Sequence, residues 1–74
     1  MENSKCAECA RLQYDVITTL ERLEELIAQQ LEAFRSNDQA TFMRLDKELE
    51  LTIGTKERAI GALREHSKEH GARA

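Results

Sequence analysis

The sequence predicts an all-α protein: an antiparallel two-helix hairpin, coiled-coil-like in character. Three observations predict it. The 74-residue chain has no proline and three glycines, and Leu, Glu, Ala, Arg and Lys dominate it, all good helix formers. Apolar or small residues recur in alternating steps of three and four along both halves. Between the halves lies Ser36-Asn37-Asp38, three residues that bond their own backbone and favour turns and caps.

The first helix is expected over about residues 5–35, capped by Ser4. Cys6, Leu20, Ile27 and Phe34 fall at heptad position a, and Cys9, Val16 and Leu23 at d. Gln13 and Gln30 occupy the places where the apolar series is interrupted. The turn covers residues 36–38, with Asp38 as N-cap of the second helix. That helix, about 39–70, carries Phe42, Leu45, Leu49, Ile53, Ile60 and Leu63, then His66 and His70. Gly71 is a natural stop, and the last three residues are expected to fray. Helices of about 30 residues are roughly 45 Å long. A three-residue turn makes them antiparallel, so the chain forms a single domain, 1–74.

The apolar stripe is wider than two helices need. Leu12, Leu26, Ile17 and Leu31 flank the first seam, and Ile53 and Ile60 flank the second. Apolar e and g positions imply further neighbours, so a homodimer forming a four-helix bundle is expected. The simpler alternative is that a wide stripe packs better in a short protein. Gly54 and Gly61 lie seven apart on the outer face of the second helix. They read as tolerant surface positions rather than as a close helix approach.

Composition narrows the function. Net charge is −3 with acids and bases interspersed, which gives no basic patch for phosphates and argues against nucleic acid. No apolar stretch approaches the ~20 residues of a membrane helix. Met1-Glu2-Asn3-Ser4 lacks the basic and apolar regions of a signal peptide, so a cytoplasmic location is expected. Thiols stay reduced there, and Cys6 and Cys9 are then expected as thiols or metal ligands rather than a structural disulfide.

A chain this short buries only about 60% of its unfolded surface, and domains of this size often need a staple. Cys6-Ala7-Glu8-Cys9 is C-x-x-C, and His66-Ser67-Lys68-Glu69-His70 is H-x3-H. Helical spacing puts each pair on one face. Hairpin geometry requires facing residues to have numbers summing to about 75. Phe34 then faces Phe42, Cys9 faces His66, and Cys6 faces His70. The only two cysteines and only two histidines of the chain thus converge at the open end. Two thiolates and two imidazoles make a closed tetrahedral zinc set.

The pair spacings resemble those of Cys2His2 zinc fingers. The resemblance covers those two motifs alone, because Ala10 to Glu65 intervene here; the finger fold and its DNA reading do not carry over. As a whole, the chain is similar to small uncharacterised bacterial helical-hairpin proteins with an N-terminal Cys and a C-terminal His-x3-His. That resemblance implies no activity.

Competing readings are weaker. Buried cysteines and helix-terminal histidines occur without metal. A redox dithiol would suit C-x-x-C at a helix N-terminus, but no thioredoxin-like strand pattern accompanies it. His66 to His70 matches H-x-x-E-H with no third-ligand helix. H-E-x-x-H, C-x-x-C-H and E-x-x-H are absent, and the acidic runs are solvated helix faces. The expected protein is therefore not an enzyme. It is a small helical hairpin with a structural zinc site at Cys6, Cys9, His66 and His70, associating with itself or an unidentified protein. The alternative is a thiol-based redox or metal-responsive switch.

Overall fold

The computed structural model describes residues 6–69. Helix α1 spans Ala7–Arg35 and helix α2 spans Gln39–Glu69, and no strand occurs among the described residues. The two helices pack along their length into a rod of 51 × 17 × 16 Å. No helix is long and apolar enough to cross a membrane.

The start of α1 differs from expectation. Ser4 lies outside the described residues, and the helix is capped by Cys6, whose backbone is extended (φ −84°, ψ 110°). Its sulfur accepts the Cys9 amide N–H at 3.3 Å. Cys9 is the third helical residue, the usual target of an N-cap side chain. The spacing that makes C-x-x-C a ligand pair is therefore also the spacing of a cap and its amide.

The turn is built by hydrogen bonds that satisfy orphan groups of both helices. Asn37 takes the left-handed conformation (φ 59°), which asparagine tolerates better than most side chains. Its N–H donates to Phe34 O at 3.2 Å, and the Asp38 N–H donates to Ala33 O at 2.9 Å. Together these form a Schellman closure of α1. Asp38 then starts α2 as expected: its carboxylate accepts the Thr41 N–H at 3.2 Å, and its carbonyl accepts the Phe42 N–H at 3.0 Å.

The seam of α1 is rotated from the expected one. Leu12, Thr19, Leu26 and Ala33, all at g, are the buried residues of α1, and Leu26 is fully buried. Cys9, Val16, Leu23 and Gln30 at d are half-buried. Leu20, Ile27 and Phe34, expected inside at a, are exposed. The reason lies in side-chain size and in one polar cross-link. Thr19 and Ala33 alternate with Leu12 and Leu26 along g, so small and large side chains succeed one another on the face that meets α2, whereas a carries Leu20, Ile27 and Phe34 in succession. The Gln30 side-chain amide donates to Asp46 Oδ1 at 3.2 Å and to Phe42 O at 3.5 Å, which pins the rotation.

The core proper joins Leu26, Ala33 and Leu45 with the half-buried Phe42 and Leu49. The Phe34 and Phe42 rings meet at 5.9 Å, tilted by 50°, at the level expected from the turn. The rotated seam gives the hairpin two unlike flanks. One is a groove of mixed lining, with Arg11, Asp15, Thr18 and Arg58 beside Leu12, Ala59 and Ala62. The other carries the exposed apolar residues of positions a and e.

Candidate metal centre

Three of the four expected ligands converge. Cys6 caps α1, Cys9 lies one turn on, and His66 sits in the last turn of α2. His66 Nε2 is 3.3 Å from Cys6 Sγ and 3.1 Å from Cys9 Sγ. All three donor atoms lie within 4.8 Å of one another. The fourth expected ligand, His70, lies outside the described residues.

The spacing can be tested against a metal. A tetrahedral zinc with S at about 2.3 Å and N at 2.0–2.1 Å sets its S and N donors roughly 3.5 Å apart. The observed separations fall a few tenths of an ångström below that, so small rotations about the Cys and His side-chain bonds suffice. The three residues are half-buried, open enough for an ion to enter and shielded enough for charge to count.

Local electrostatics favour a cation here. Both cysteines are thiols at the positive end of α1, which stabilises a thiolate. Opposing this, the Cys9 thiol is pushed up, chiefly by its hydrogen bond with Cys6, then by partial burial and by repulsion from Cys6 and Glu8. Two neighbouring sulfurs cannot both ionise cheaply without a positive charge between them.

One supporting residue was not read from the sequence as part of the site. Glu69 Oε1 lies 3.9 Å from His66 Nδ1, on the ring edge away from the sulfurs. A carboxylate there favours the proton on Nδ1 and leaves Nε2 as the donor, the arrangement typical of metal-bound histidines. The signal was the three-residue step between His66 and Glu69, which puts both on one face of α2.

At the opposite end, a cleft of about 270 Å³ is lined by Phe34, Asn37, Asp38, Phe42 and Met43, among others. Its one carboxylate, Asp38, is engaged in capping α2. The chain matches no protein-family model, no curated protein and no solved structure.

Proposed function

We propose that the chain is a non-enzymatic helical hairpin whose open end is clamped by a structural zinc ion, and that it works as a self-associating interaction module. Cys6, Cys9 and His66 would hold the ion, with His70 as fourth ligand by its spacing. The observation that carries this reading is the approach of His66 Nε2 to both sulfurs, at 3.3 and 3.1 Å, across some sixty residues of chain. Soft sulfur with imidazole suits zinc among the common ions. Four protein ligands would leave no open position for catalysis, which is why the role is structural.

A thiol-based redox or metal-responsive switch is the alternative. It predicts thiols that react in the zinc-loaded protein, which a closed four-ligand site would shield. Elemental analysis of protein purified without chelator decides the matter. About one zinc per chain is expected from a closed four-ligand site. Cobalt substitution should give the absorption of a tetrahedral sulfur–nitrogen site, and His66→Ala should alter it. Metal-free protein that binds neither ion, with both thiols reacting at once, would overturn the reading.

A further inference from the structure

The rotated seam leaves an apolar stripe exposed among the described residues. Ile17, Leu20, Ile27, Leu31 and Phe34 on α1 are 43–69% exposed. Their steps of three, seven, four and three place them on one helical face. Ile53 of α2, 43% exposed, extends the same flank. Its side is fixed by Asp46, two turns earlier on α2, which is bonded to Gln30. Position a adjoins that bond on α1, so both sets of side chains lie on the Gln30–Asp46 side of the rod. The opposite flank is the groove of Arg11, Asp15, Thr18 and Arg58.

We infer that this stripe is the docking surface for a second copy of the chain, which completes a four-helix bundle. The inference rests on the self-association proposed above and assigns it a face. Three observations select a second copy. The stripe runs along about 26 Å of the 51 Å rod, a length that one straight helix of a partner covers without a bend. Heptad spacing suits a straight helical partner of similar length, and a second copy offers one with the same spacing. A two-fold axis makes one apolar stripe complementary to itself, with no further surface required. Among the described residues only Leu12, Leu26, Ala33 and Leu45 are buried apolar ones, a small core for two helices of this length.

The test compares two double variants of equal charge change. Leu20→Lys with Ile27→Lys alters the stripe; Thr18→Lys with Ala62→Lys alters the opposite groove, which both residues line. Both move the net charge toward zero, so general repulsion cannot explain a loss of association. Sedimentation equilibrium with zinc present should show a wild-type dimer. The stripe variant should raise the dissociation constant about thirtyfold or more, and the groove variant should leave it unchanged. If the stripe variant loses helicity, Ile27→Ala replaces it, with a rise of about tenfold expected and helix retained. A dimer insensitive to the stripe but broken by the groove variant would overturn the assigned face and spare self-association. A wild type monomeric at high micromolar concentration would overturn both, whatever its zinc content.

Discussion

The two ends of the hairpin are closed by different physics. At the turn, connectivity, two caps and a core do the work: Leu26, Ala33 and Leu45 with Phe42 and Leu49 all lie in that half. At the open end the chain offers Leu12 and Thr19 as buried residues, and beyond them the cysteine and histidine layer. Helices diverge wherever side-chain burial fails to offset chain entropy. An end without a core must be held by something stronger per contact than dispersion, and a coordinated ion is such a contact. The hairpin should accordingly have a robust half and a conditional half.

The sharpest way to break the contrast is to attack the robust half. Leu26→Ala removes a fully buried side chain and should cost about 2–5 kcal/mol. Denaturant unfolding at fixed zinc measures the loss. A cost under about 1 kcal/mol would mean that the turn half has no real core.

Next comes the clamp. Tying residue 6 to residue 66 closes a long loop, worth roughly 4 kcal/mol at most on the chain-entropy model. Chelation should lower the melting temperature and expose open-end amides to hydrogen exchange, while amides around Phe42 stay protected. Cys9→Ser and His66→Ala should match the chelated wild type and ignore added chelator. If all three melt together with and without chelator, the layer is a thiol–imidazole cluster and no clamp.

A smaller gain is expected in α2. A methyl group added at Gly61 meets nothing within 4 Å, and one at Gly54 meets only the end of the Arg58 side chain at 3.7 Å. Gly61→Ala should therefore stabilise the helix by about 1 kcal/mol. A destabilisation would reveal that another chain approaches closely there.

The smallest effect is that of pH on the turn. The Asp38 carboxyl is held below its ordinary value near 3.8, chiefly by hydrogen bonds from the Thr41 side chain and N–H, with help from Arg44. A depressed folded value means that the contribution is complete above the unfolded value and is lost as pH falls through the folded one. An acid titration of helicity, run in chelator to remove the metal's own response, should be shallower for Asp38→Asn. Identical curves would show that the cap is electrostatically idle.

Much of this was legible in the residues. Absence of proline, a turn-forming triplet and three–four spacing are local signals, and local signals place helices and turns. The meeting of Cys9 with His66 followed from hairpin arithmetic alone. The rotation of α1 did not, because Leu20 and Leu26 are equally apolar. Which of them faces α2 depends on the small Thr19 and Ala33 and on the Gln30–Asp46 bond, a contact between distant residues. The left-handed Asn37 and the capping role of Cys6 also escaped. Asparagine fits several turn conformations, and cysteine is not among the usual N-cap residues.

The sulfur of Cys6 accepts the Cys9 N–H and also faces His66. A thiolate can bind an ion with one lone pair and still accept that amide with another, but the ion draws electron density from the sulfur, so coordination and the first helical turn share one electron reservoir. The Cys9 amide is then a built-in reporter. Its proton chemical shift should move on metal loading before any change in overall helicity, and a Cys6→Ser protein, which keeps an N-cap acceptor but lacks the thiolate, should leave it still.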